Sequence, residues 1–98
     1  MDNNLITGNL KLQHDKENKR FTMAINDETA VVTYKLVDGQ MYLTYSEVPF
    51  KLRGKGYGKE LVEGTFEQLT SEGYKAVAVC SYIKAVARRS KKWNSIID

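Results

Sequence analysis

The chain has 98 residues, of which 42% are hydrophobic and 28% charged, with a net charge of +3. That balance excludes a disordered or fibrous chain, and no apolar run is long enough to cross a bilayer. A single cysteine, Cys80, excludes an internal disulfide, and the opening "MDNNLITGN" has no signal-peptide pattern, so one reduced, cytoplasmic domain (1–98) is expected.

The elements follow in chain order. "LKLQHD" (10–15) alternates as a short strand and "KENK" turns it back. "RFTMAI" (20–25) places Phe21, Met23 and Ile25 on one face, the period of a half-buried strand. "TAVVTYKLV" (29–37) places Val32, Tyr34 and Leu36 together, Asp38-Gly39 marks a hairpin, and "QMYLTYSEV" (40–48) returns. Pro49 ends that strand because it cannot donate to a ladder. Leu61, Val62, Thr65, Phe66 and Leu69 then recur at helical spacing, with Gly64 inside the helix for close packing against a strand and Gly73 as its stop. "YKAVAVC" (74–80) reads as a central strand and "SYIKAVARRS" (81–90) as a second helix with basic residues at its C-terminal end. Trp93 and Ile96 of the tail are expected to dock back. The order β-β-β-β-α-β-α contains one βαβ unit, which calls for a right-handed crossover and a parallel strand pair.

"RGKGYGK" (53–59) holds three glycines and three cations. It also sits in the basic half of the chain: residues 1–49 carry −2 and residues 50–98 carry +5. The spacing is one residue short of a phosphate-binding Walker loop, and Glu60 stands where that loop needs a hydroxyl. Lys55-Gly56-Tyr57-Gly58 matches only the first four positions of the RNA-binding RNP1 pattern. The dinucleotide fingerprint fails on its third glycine. A glycine-rich turn into a helix N-terminus does suit a phosphate, because it brings unpaired main-chain N–H groups close to the oxygens. The bland alternative is a tight strand-to-helix turn with no ligand.

Arg53-Gly54-Lys55-Gly56-Tyr57-Gly58 has the form [QR]-x-x-G-x-[GA] after a strand ending in Val48, and so resembles the acetyl-coenzyme A pyrophosphate loop of the GNAT superfamily of N-acetyltransferases. "SEVPFKLRGKG" and "VCSY" are similar to a small, single-domain group within it. The resemblance implies an α+β GNAT-like fold: an antiparallel four-stranded meander, then α-β-α, with a parallel pair splayed around acetyl-coenzyme A. It implies that N–H groups of Lys55, Gly56, Tyr57, Gly58 and Lys59 hold the pyrophosphate, with Arg53 and Gly54 leading in. The main chain at Glu47 and Val48 would pair with the pantetheine arm. Arg88, Arg89, Lys91 and Lys92 are candidates for the ribose phosphate.

For catalysis the resemblance implies Glu47 as base or water-positioning group, Tyr82 as acid, and Cys80, at a helix start, as a possible nucleophile. Each has a bland reading: a strand carboxylate, a core aromatic, an inert thiol. The sequence departs from the group at Tyr45, where a histidine is usual, and at Ser90-Lys91 in place of His-Pro. The partner that would activate the thiol is therefore missing, and His14 reads as structural. No metal site is assigned. An acetyltransferase acting on an unidentified amine is the leading function. The alternative is a non-catalytic acyl-coenzyme A binding or sensing module, with a small nucleic-acid binder third. The expected state is a monomer or weak homodimer, with an acceptor side left open by the absence of the superfamily's two early helices.

Overall fold

A computed structural model describes residues 11–98. Leu10, assigned by alternation to the first strand, and the segment read for a signal peptide lie outside the described residues. Five strands form one sheet in the order β1 (Leu12–Asp15), β2 (Arg20–Ile25), β3 (Glu28–Val37), β4 (Gln40–Glu47) and β5 (Lys75–Ala78). The first four pair antiparallel and β4 pairs β5 in parallel, the mixed sheet of a GNAT-like α+β fold. Helix α1 (Tyr57–Ser71) connects β4 to β5, and α2 (Ser81–Arg89) follows β5.

The hairpins form as their turn residues dictate. Val37 pairs with Gln40, leaving a two-residue loop in which Asp38 and Gly39 both take positive φ. Strand alternation then sends Phe21, Met23, Ile25, Ala30, Val32, Tyr34, Met41, Leu43, Ala76 and Ala78 into one core. The helices close that core with Leu61, Val62, Phe66, Leu69, Ile83 and Ala87. Burying each large aliphatic or aromatic side chain contributes about 1.5–3 kcal/mol. Thr65 is also fully buried, and its hydroxyl donates to the Leu61 carbonyl one turn back.

Two core assignments change. Leu36 is 42% exposed, because it stands at the edge of the packed layer two residues from the hairpin turn. In the tail Trp93 is buried but Ile96 is not, and Ile97 docks instead. The tail is helical there, with the Ile97 N–H donating to the Trp93 carbonyl, so the inward residues are four apart. Gly64 faces Leu12 and Met23, where an added Cβ would meet only ordinary van der Waals contact.

The ladder between β4 and β5 ends early, and this shapes the site. Leu43 is its last residue on β4, and the Leu43 carbonyl accepts from the N–H groups of both Val79 and Cys80. Past that point β4 runs on without β5. A bulge accentuates the parting: Thr33 pairs with Tyr45 and Tyr34 with Leu43, so Thr44 is an extra residue in β4. An extra residue bends a strand and reverses which faces its later side chains occupy.

Candidate functional site

A groove of about 480 Å³ runs along β4 past the end of its pairing with β5 and on to the start of α1. One wall is Tyr45, Ser46, Glu47 and Val48 of β4 and its continuation. The far end is Arg53, Gly54, Gly56 and Gly58, with Leu52 and Leu61 beneath and Tyr82 of α2 alongside. The groove thus gathers Glu47, Val48, Arg53, Gly54, Gly56, Gly58 and Tyr82 from the residues selected by sequence. Lys59 lines a second groove of about 390 Å³, shared with Glu63, Val86, Arg89 and Ser90, and Tyr82 borders both. Lys55 is exposed on the loop, and Tyr57 packs its side chain against the core.

The glycines divide into two kinds. Gly54 and Gly56 have φ of +79° and +85°, backbone that L side chains rarely adopt, and a Cβ on either would meet nothing within 4 Å. They make the turn and leave open space over it. Gly56 caps α1 with no side-chain hydrogen bond, and the first intrahelical bond is from the Glu60 N–H to the Gly56 carbonyl. The N–H groups from Gly56 to Lys59 therefore lack intrahelical acceptors at the positive end of a 15-residue helix. This bare, donor-rich turn at the end of a groove fits a pyrophosphate. Gly58 serves a different need, since a Cβ there would stand 2.7 Å from the Tyr82 hydroxyl. Tyr82 reaches the glycine-loop end of the groove because residue 58 has no side chain.

Arg53 donates from Nε to the Val48 carbonyl at 3.0 Å, and its guanidinium carbon lies 5.8 Å from the Phe50 ring centroid. The main chain assigned to the pantetheine arm thus already has one hydrogen-bond partner. The basic cluster near the C-terminus divides as well. Arg88 clamps the tail through the Asn94 and Ile97 carbonyls, and Lys92 lies over Trp93 and pairs with Glu67. Of the four, Arg89 faces a groove.

Cys80 caps the start of α2 and lies behind the groove wall, its sulfur 3.6 Å from the Ser46 hydroxyl. Burial pushes the thiol up, but the Ile83 N–H, the Ser46 hydroxyl and the N–H groups of Tyr82 and Ser46 outweigh it, so the thiol sits below its ordinary value. Ser46 was not visible as a partner in the sequence. Simple alternation puts residues 41, 43 and 45 on one face, and the bulge replaces 45 by 46. For the same reason Tyr45 is turned away from Cys80, and its hydroxyl donates to Glu47 Oε1 at 3.1 Å. Tyr45 therefore does not stand in for a thiol-activating group. The Glu47 hydrogen bond raises the Tyr45 phenol above its ordinary value.

His14 lies away from the groove, as a structural residue should. Its Nδ1 is 2.8 Å from Glu72 Oε1, its Nε2 is 2.7 Å from the Tyr34 hydroxyl, and its ring stacks on Phe21. Among the described residues no cluster of His, Cys, Asp and Glu could hold a metal, and no helix is long and apolar enough to cross a membrane.

Comparison with known proteins gives a consistent result. The family model described as GCN5-related N-acetyl-transferase matches residues 20–96. Protein NATD1 of Mus musculus is 28% identical over 86 residues, covering 85% of this chain and 78% of the relative. The Gallus gallus and Homo sapiens proteins of that name are each 29% identical over 84 residues, covering 83% of this chain and 76% and 74% of theirs.

Proposed function

This chain belongs to the GCN5-related N-acetyltransferase family, and from that premise we propose that it binds acetyl-coenzyme A and transfers the acetyl group to an amine. One observation carries the reading: unpaired N–H groups at the start of α1, behind two side-chain-free positions, open into a groove that runs along β4 beyond its last pairing with β5. Bound acetyl-coenzyme A supplies an activated acetyl thioester. The chain's residues do the rest. Main-chain N–H groups of residues 55–59 hold the diphosphate, with Lys55 and Lys59 adding charge around it. Arg53 releases the Val48 carbonyl as the ligand enters, and Arg89 neutralises phosphate in the adjoining groove.

Glu47 takes the proton that an acceptor ammonium must lose before its nitrogen can attack. The Tyr82 hydroxyl stands against Gly58, which favours a role in holding the diphosphate end of the ligand over the acid role for the departing thiolate. A covalent route through Cys80 is a second reading, favoured by the N–H groups and hydroxyl gathered around its sulfur. Isothermal titration with acetyl-coenzyme A tests the main reading. Saturable binding is expected, with competition by coenzyme A. No heat at millimolar ligand with a folded protein would end it. Acetylation of Cys80 detected by mass spectrometry, lost in Cys80→Ala, would favour the covalent route. Binding with no transfer to any amine would leave a sensing module.

A further inference from the structure

The bulge at Thr44 turns Tyr45 and Glu47 to the sheet face opposite the core, which no helix covers among the described residues. Their cross-strand neighbours there, Thr33 and Val31, are uncharged. Glu47 is the one carboxylate lining the groove, and among the described residues no cation pairs with it. The nearby Arg53 is engaged with the Val48 carbonyl. The Tyr45 hydroxyl occupies Glu47 Oε1, while Oε2 has no partner among the described residues.

We infer that Tyr45 is a positioning residue: its hydroxyl fixes the Glu47 carboxylate at the mouth of the groove, and the pair receives the acceptor as a protonated primary amine. The inference rests on the acetyl-transfer reading and adds the residue that orients its base. A carboxylate held by one oxygen presents the other in a fixed direction, where an ammonium can donate to it. The half-exposed Tyr45 ring adds a π face for the same cation. Charge is segregated to match, since the half of the chain carrying +5 builds the phosphate end and the half carrying −2 supplies β4. A neutral acceptor gains nothing from Glu47, and an anionic one is repelled.

The test uses the whole chain and n-butylammonium, n-butanol and n-butyrate as probes, followed by amide NMR shifts at residues 44–48. Butylammonium is expected to shift them saturably and the other two are not. Tyr45→Phe should weaken that binding about three- to fivefold, the range of an exposed charge-linked contact. Tyr45→His, which keeps a donor, should restore it, and Glu47→Gln should abolish it. Independently of any ligand, Glu47→Gln should lower the titration midpoint of the Tyr45 phenol. An equal response to butanol, no effect of Tyr45→Phe, or an unmoved phenol titration would each overturn the inference. Acetyl-coenzyme A titration runs alongside: if it binds and butylammonium does not, only this inference fails, and if it does not bind, the transfer reading fails first.

Discussion

The two ends of α1 treat polar groups in opposite ways. At the N-terminal end Gly56 caps the helix with no side-chain hydrogen bond, leaving the first turn's donors without intrahelical acceptors. At the C-terminal end Glu72 receives His14 and Gln68, His14 also holds Tyr34, and the N–H groups of Gly73 and Tyr74 return to the Thr70 and Leu69 carbonyls. Unpaired buried polar groups are costly, so a protein satisfies them where stability is the only task. A helix end left bare beside a groove is instead ready for a ligand. One end of the helix is closed by its own partners, and the other leaves its donors facing a groove.

That contrast can be broken at either end. Gly56→Asp puts a side chain and a negative charge where the diphosphate is proposed to sit. It should weaken acetyl-coenzyme A at least about a hundredfold by calorimetry, while the positive φ costs about 1 kcal/mol of stability. Unchanged affinity in the folded variant would remove the phosphate site. His14→Ala should do the reverse. Loss of the ring strands the buried Tyr34 hydroxyl and removes the stacking on Phe21, so denaturant titration should show a loss of about 2–4 kcal/mol. Its acetyl-coenzyme A affinity should match the parent.

Acid gives a gentler probe of the closed end. The Gln68 hydrogen bond holds the Glu72 carboxyl below its ordinary value of 4.5, against a smaller opposing effect of burial, and His14 and Lys16 add to the lowering. The folded value is the lower one, so the stabilisation is complete above 4.5 and is lost as pH falls through the folded value. Thermal melts of the parent and Glu72→Gln should therefore differ at neutral pH and converge in acid. The smallest effect belongs to the middle of the helix. Gly64→Ala adds a Cβ no closer than 3.7 Å to Leu12, so it should stabilise the protein by about 0.5–1 kcal/mol and leave ligand binding unchanged. Destabilisation would mean that Gly64 is there for close packing after all.

Much of this architecture was legible in the residues. Period-two and helical runs gave all five strands and the two α-helices in order, Asp38-Gly39 gave its hairpin, and the glycine loop marked one end of the groove. These are local signals, set by side-chain spacing and by which backbone angles a residue tolerates. The misreadings share a different origin. Ile96 gave way to Ile97 because the tail is helical there. Arg88 and Lys92, read as phosphate ligands, are held by the tail, by Glu67 and by Trp93.

The sequence by itself determined which segments pair, which faces are apolar and where a helix begins with bare N–H groups. Tertiary structure alone decided that β4 carries an extra residue at Thr44, that Ser46 rather than Tyr45 meets the Cys80 thiol, and that Tyr45 turns to Glu47. The reason is that strand register is a relation between two chain segments. One extra residue in a ladder reverses every later side chain, and no run of residues read along a single strand records it.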